Sequence, residues 1–172
     1  MDLAISSRQF GFQRGQARIF PSDWDSPLNL ARGDPSVLSG PFAVVDDRIA
    51  SAPVSGAGEY QLLLTELTVR RFQDNRQFQV SWFAAHFGVT EADIQQGSAR
   101  VSLNSPGVFR VSIFDRLTHL PLHGFQLTAH CDNNMTANLA TDENGAILFL
   151  ISPMQFVIDI DTEKATISVA SL

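Results

Sequence analysis

The sequence has a single cysteine, a single lysine and no long hydrophobic run. One cysteine excludes an internal disulfide framework, and Cys131 falls on the apolar side of its strand-like segment, so we expect it to pack in the core. A membrane helix needs about 18 apolar residues, and the first ten residues lack the apolar stretch of a signal peptide. We therefore expect a protein that is made in the cytoplasm, with no membrane partner.

Basic residues are scarce toward the end of the sequence. The net charge is −6, and residues 122–172 carry Lys164 as their one basic residue against six acidic residues. Nucleic-acid affinity comes mainly from basic side chains that displace counterions from phosphates. This distribution of charge disfavours nucleic acid as a partner.

The first 58 residues lack a sustained helical or alternating pattern. They contain five of the eight prolines and six of the eleven glycines, which predicts a mostly irregular segment with one short strand at 42–45. Isolated aromatic residues nevertheless recur in it, and such side chains can anchor an extended chain in pockets. We interpret 1–58 as an extended arm that either docks on a neighbouring subunit or wraps its own domain, with the anchors Phe10, Phe12, Phe20, Trp24 and Phe42.

Residues 59–172 have the alternating pattern of β-strands joined by short turns. Thr90 and Asp93 predict the capped start of one short helix that ends at Gly97. Residues 147–151 are apolar on both faces and predict a central strand. We expect hairpins that join 101–103 to 108–114, 136–140 to 147–151 through Asn144-Gly145, and 156–160 to 165–169. The fold class predicted is all-β, an antiparallel sandwich formed by residues 59–172.

Three elements between 108 and 151 resemble the transthyretin-like and carboxypeptidase-regulatory-like sandwiches, which have an Ig-like architecture. A strand ends in Asp115, Pro121-Leu122-His123-Gly124 leads to the next strand, and Thr141-Asp142-Glu143-Asn144-Gly145 precedes another. The resemblance implies a β-sandwich for this part of the chain. It does not extend to the hydroxyisourate hydrolases of that group, because the strand at 109–113 has no histidine and the ending Val169-Ala170-Ser171-Leu172 differs from theirs.

Recognisable catalytic patterns are missing from the sequence. There is no Gly-x-Ser-x-Gly elbow and no cysteine with an evident histidine partner, so we expect no enzyme activity, no catalytic residues and no cofactor. His119, His123 and His130 with Asp132 have no recognised zinc spacing. The acidic turns at 132–134, Asp142, Asp159 and Asp161 have no EF-hand-like loop, and we interpret them as turn-forming residues without a metal.

The remaining features favour an interaction protein. Arg70, Arg71 and Arg76 lie among the aromatics Phe72 and Phe78, which is typical of a solvated loop or an interface rim. We predict a non-enzymatic structural subunit of a larger assembly, most concretely a bacteriophage virion component, with other protein subunits or copies of itself as partners. The alternative is a carbohydrate- or ligand-binding module that stacks its ligand on Tyr60, Trp82 or Phe83. An unrecognised hydrolase is a third class.

Overall fold

The computed structural model describes residues 1–21, 41–103, 106–131, 136–151 and 156–172. These residues form thirteen strands and one short helix, in agreement with the predicted all-β class. The elements are β1 (Asp2–Ser7), β2 (Phe10–Pro21), β3 (Phe42–Val45), β4 (Arg48–Ile49), β5 (Gly58–Arg71), β6 (Gln77–Val89), α1 (Glu91–Gln96), β7 (Ser98–Leu103), β8 (Gly107–Asp115), β9 (Gln126–Cys131), β10 (Thr136–Ala140), β11 (Ala146–Ile151), β12 (Phe156–Asp159) and β13 (Ala165–Ser171).

Ten strands form one large sheet in the order β13-β8-β11-β6-β5-β2-β3-β4-β1-β7. The strands β10, β9 and β12 form a second sheet of three. Most pairs are antiparallel, but β1 runs parallel to β7 and β11 runs parallel to β6. The predicted all-β sandwich class is confirmed, and the large sheet within it is mixed, with these two parallel pairs among antiparallel ones.

The large sheet curls around a first hydrophobic core. The register between β2 and β5 shifts near Arg14, and Glu66 of β5 has a positive φ of 52°. Such bulges bend a strand and increase its local twist. Gly15 lies at this bend, where an added Cβ would be 2.5 Å from the Leu67 side chain and 3.2 Å from the Thr65 carbonyl oxygen, so only glycine allows the strands this approach.

The three-stranded sheet covers a second core on the large sheet. Leu127 and Ala129 of β9 pack with buried side chains of the large sheet, among them Phe149 of β11 and Ala165 of β13. On the other face of β11, Leu150 belongs to the first core. The prediction of a central strand with two buried faces is confirmed, since β11 lies between β8 and β6.

The helix begins and ends as the sequence predicts. The Thr90 hydroxyl accepts a hydrogen bond from the Asp93 backbone N–H, and the Asp93 carboxylate accepts from the Thr90 backbone N–H at 2.8 Å. Gly97 caps the other end in the left-handed region, with φ 71°. The hydrogen bond from Thr90 lowers the pKa of Asp93 below its usual value.

The predicted irregular arm is wrong for its described residues. The strand β2 is an interior strand of the large sheet, paired with β5 on one side and β3 on the other, and β1 pairs with β4 and β7. The short strand predicted at 42–45 is confirmed as β3. Residues 1–21 and 41–58 are therefore part of the same folded unit as the strands that follow, and the boundary predicted at residue 58 falls at the first residue of β5.

The strands were predicted more accurately than their partners. The expected hairpin of 101–103 with 108–114 is wrong, because β7 pairs with β1 while β8 pairs with β11 and β13. The turn at 141–145 joins β10 and β11 in different sheets instead of closing a hairpin. The last expected hairpin is also wrong, since β12 pairs with β9 and β13 pairs with β8.

Candidate interaction edge

The strand β13 forms one edge of the large sheet. It pairs with β8 along one side, from Ala165 opposite Asp115 to Ser171 opposite Phe109, and no described strand pairs with its other side. Ala165 is buried, whereas the six residues that follow it are exposed. The strand contains no charged residue and no proline, the two features with which proteins commonly protect an edge from pairing. The opposite edge strand, β7, carries the exposed Arg100.

The hydrogen bonds to β8 determine which backbone groups of β13 point outward. Arg116 N–H donates to the Lys164 carbonyl oxygen at 3.0 Å, and Leu172 N–H donates to the Val108 carbonyl oxygen at 2.9 Å. Residues of one parity therefore direct their N–H and C=O groups toward β8, because this direction alternates along an antiparallel strand. The outward groups are those of the opposite parity, at Ile167, Val169 and Ser171. Ala165 has the same parity, but its N–H donates to the Asp161 carbonyl oxygen at 3.0 Å.

Two apolar side chains of β13 lie on the face of the large sheet that packs against the three-stranded sheet, but they remain exposed at the edge. Ile167 lies opposite Ile113 and Val169 lies opposite Val111, and directly opposed residues project from the same face. Both partners on β8 are buried in the second core, whereas Ile167 is 42% exposed and Val169 is 59% exposed. An apolar surface that continues from a core to an open edge is typical of a contact site for another protein.

A basic cluster lies at the end of β13 where Ser171 is found. The Arg71 guanidinium donates to the Leu172 carbonyl oxygen at 2.7 Å and forms an ion pair with Asp74 at 2.5 Å. Arg71 and Arg76 both lie over the Phe78 ring, 5.1 and 5.2 Å from its centroid. The hydrogen bond from Arg71 lowers the pKa of Asp74 to about 2. Arg8 lines a cleft of about 490 Å³ beside Leu172. We call Arg8, Arg71 and Arg76 the basic end of β13.

The turn before β13 carries acidic side chains. Asp161 forms an ion pair with Lys164 at 2.9 Å, and this hydrogen bond lowers the pKa of Asp161. Glu163 is exposed and has no ion pair among the described residues. The neighbouring loop is joined to this turn, because the Arg116 guanidinium donates to the Thr162 carbonyl oxygen at 2.8 Å. We call Asp161 and Glu163 the acidic end of β13.

The predicted arm anchors that are described lie in the protein itself. Phe10, Phe12 and Phe20 are 3%, 1% and 1% exposed, and Phe42 is half-buried against the first core. Their assignment as anchors for a neighbouring subunit is wrong, because their surface is already used within this chain. Trp24 lies outside the described residues.

The predicted stacking residues form no open platform among the described side chains. Phe83 is 1% exposed, so its proposed role as a stacking surface is wrong. Tyr60 is half-buried, stacks on Phe87 with 5.6 Å between ring centroids, and donates its hydroxyl to the Gly56 carbonyl oxygen at 2.8 Å. The side chain of Trp82 lies outside the described part, as does that of Cys131.

The polar residues considered for metal binding are separated in the described structure. His130 forms a pair with Asp159 at 2.9 Å, and the Asp142 carboxylate accepts the backbone N–H groups of Asn144 and Ala146 at 2.8 and 2.9 Å. No three histidine, cysteine, aspartate or glutamate side chains converge in the described ranges. Residues 132–134 lie outside them.

The open edge was missed at the sequence level. Its signal was an uncharged alternating segment, Ala165 to Ser171, but the sequence predicted a hairpin with 156–160, whereas the structure pairs the strand with β8 and leaves its other side open. No described helix is long and apolar enough to span a membrane.

No protein-family model matches the chain, and no curated protein or solved structure is significantly similar to it.

Proposed function

We propose that the protein is a non-enzymatic structural subunit that binds other protein subunits by adding a strand to the edge of β13. The observation that carries the proposal is the combination of outward backbone groups at Ile167 and Val169 with exposed apolar side chains at the same two residues. Strand addition uses both: the main-chain hydrogen bonds hold the partner, and the side chains select it.

The composition of the edge supports this proposal. An uncharged strand with an apolar face is a liability in a protein that must remain monomeric, because it offers a template for pairing with any exposed strand. A partner that covers the edge removes the liability. The assembly we propose is the one expected from the sequence, a bacteriophage virion or a related particle, in which subunits are held permanently.

The experiment compares the wild-type chain with the double variant Ile167→Lys/Val169→Lys in cells that express the remaining components of the assembly. We expect the wild type to be recovered in a large particle. The double variant should be recovered free, because two lysine ammonium groups would be buried in the interface between β13 and the partner strand. A matched control, Ser98→Lys/Ser102→Lys, places the same charges on two exposed residues of the opposite edge strand β7 and should be recovered in the particle like the wild type.

Thermal unfolding of the purified variants tests the fold. Both side chains are exposed, so the melting temperature of the double variant should remain close to that of the wild type. Recovery of the double variant in the particle at the wild-type level would contradict the proposal.

A further inference from the structure

The two ends of β13 carry opposite charge, and this polarity identifies a partner. Arg8, Arg71 and Arg76 lie with Asp74 at the end near Ser171, which gives a net charge of +2. Asp115, Asp161 and Glu163 lie with Lys164 and Arg116 at the end near Ala165, which gives a net charge of −1. Among the described residues Arg8 and Arg76 form no ion pair, and neither does Glu163. The strand between them is uncharged. A partner strand that complements this edge must therefore carry acidic groups at one end and basic groups at the other.

A second copy of the same edge has this arrangement when it runs antiparallel. If the two strands pair about a dyad at Ser168, Ile167 lies opposite Val169 of the other copy and Leu172 lies opposite Lys164. The basic end of each copy then meets the acidic end of the other. A parallel arrangement would instead place the two basic ends together, and like charges at close range are unfavourable.

The backbone of β13 allows the same arrangement. Ile167 and Val169 both direct their N–H and C=O groups outward, so they form a hydrogen-bonded pair across the dyad, as antiparallel pairing requires. Ser171 N–H can also donate to the Ala165 carbonyl oxygen of the other copy, but Ala165 N–H already donates to the Asp161 carbonyl oxygen within its own chain. The two strands therefore form about six new main-chain hydrogen bonds. Ser168 then lies opposite its own copy in a non-hydrogen-bonded pair, with about 4.5 Å between the two Cα atoms.

The apolar side chains near the two ends add to the contact. Phe72 is 50% exposed beside the basic end, where it lines the cleft with Leu172, and Leu117 is 89% exposed next to Arg116 at the acidic end. The antiparallel arrangement brings Phe72 of each copy toward Leu117 of the other. These groups extend the contact beyond the two strands, as an interface that approaches about 1,200 Å² requires.

We propose that two copies of this chain associate through their β13 strands, antiparallel about a dyad at Ser168, so that their large sheets form one continuous sheet. This inference rests on the proposed function and specifies its partner. The interface is isologous, because both copies use the same surface: Ile167 of each copy contacts Val169 of the other.

Disulfide trapping tests the register. In a Cys131→Ser background, Ser168→Cys places two thiols at a Cα separation that suits a disulfide. We expect Ser168→Cys to form a covalent dimer under mild oxidation at least tenfold faster than the control Ala170→Cys, which is exposed on the same face but lies opposite Thr166. Equal cross-linking rates for the two variants would overturn the dyad at Ser168.

A charge exchange tests the polarity. Sedimentation equilibrium of the full chain should give weaker dimers for Arg76→Glu and for Glu163→Arg, by about tenfold each, and the double variant should recover most of this loss. Arg100→Glu, on the exposed edge β7, makes the same charge change as Arg76→Glu and should leave the dimer unchanged. Failure of the double variant to recover would overturn the antiparallel arrangement.

A wild-type chain that remains monomeric at 0.2 mM in low salt would overturn the dimer. That result is distinct from failure of the proposed function, which is measured by recovery of Ile167→Lys/Val169→Lys in the assembled particle. A monomer whose incorporation still depends on Ile167 and Val169 would use the same edge for a different subunit.

Discussion

Gly145 occupies a position that no residue with a side chain can take without displacing the main chain. Its φ is 68°, and an added Cβ would lie 2.9 Å from the Ile113 carbonyl oxygen, the Leu122 nitrogen and the Pro121 Cβ. The first two atoms are joined by a hydrogen bond of 3.0 Å, and Ile113 N–H also donates to the Gly145 carbonyl oxygen at 2.8 Å. Gly145→Ala therefore inserts a methyl group against a hydrogen bond between β8 and the loop that follows it.

The cost of this substitution has two parts. An alanine in the left-handed region costs about 1 kcal/mol relative to its preferred conformations. Crowding against main-chain atoms that cannot rotate away costs a further 1 to 3 kcal/mol, roughly the penalty of overpacking a core. We expect Gly145→Ala to lower the free energy of unfolding by about 2 to 4 kcal/mol.

Gly97 provides a matched control for the cost of the left-handed conformation alone. Its φ is 71°, and no atom lies within 4 Å of the position that an added Cβ would take, so Gly97→Ala should cost about 1 kcal/mol. The entropy that alanine removes from the unfolded chain is the same for both variants and cancels in the comparison. Urea denaturation followed by circular dichroism measures the difference, provided that the slope is unchanged. Equal destabilisation of the two variants would refute the crowding at Gly145.

Four further measurements test the fold and its electrostatics. Phe12→Ala should lower the free energy of unfolding by about 3 to 5 kcal/mol, because the ring is 1% exposed in the first core. An unchanged urea midpoint would mean that Phe12 does not pack in this core and belongs to an extended arm. A chain that begins at Gly58 should lose cooperative unfolding, since β5 would lose its partner β2; a sharp thermal transition would contradict this. Thr90→Ala should cost about 1 kcal/mol in urea denaturation by removing the helix cap, and no loss would exclude the capping box. The Asp74 carboxyl should titrate near pH 2 by NMR, below the ordinary 3.8, so its contribution to stability is present above about pH 4 and is lost as the pH falls toward 2; Arg71→Gln should move the midpoint back up.

Local features of the fold could be predicted because they depend on a few neighbouring residues. Thr90 and Asp93 define a helix start through their own hydrogen bonds, and the positive φ of Gly145 follows from turn chemistry. The apolar run at 147–151 indicates a buried strand wherever that strand lies in the sheet. These predictions required no knowledge of distant parts of the chain.

Strand pairing and the open edge could not be predicted in the same way. The alternation in β2 changes phase at the shifts near Arg14, so Phe12 and Ile19 both enter the first core although a regular strand would place them on opposite faces. Because the alternation changes phase, the sequence of this segment lacks the regular pattern of a strand, and it is therefore interpreted as part of an arm. Turn residues such as Asn144-Gly145 identify where the chain turns but not the sheet that it enters next. The edge at β13 depends on that choice, because β12 and β13 enter different sheets.

The parallel pairing of β1 with β7 has a consequence for how the chain matures. Asp2 lies opposite Ser98, so β1 receives this neighbour only about 95 residues after it has itself been synthesised. At roughly 5 to 20 residues per second, that interval is about 5 to 20 s of synthesis. Contacts between segments so distant in sequence also slow the final closure of the sheet, because a long loop must be ordered first. During this time the nascent chain exposes the apolar side chains of β1, and it is in this period that we expect molecular chaperones to determine its yield.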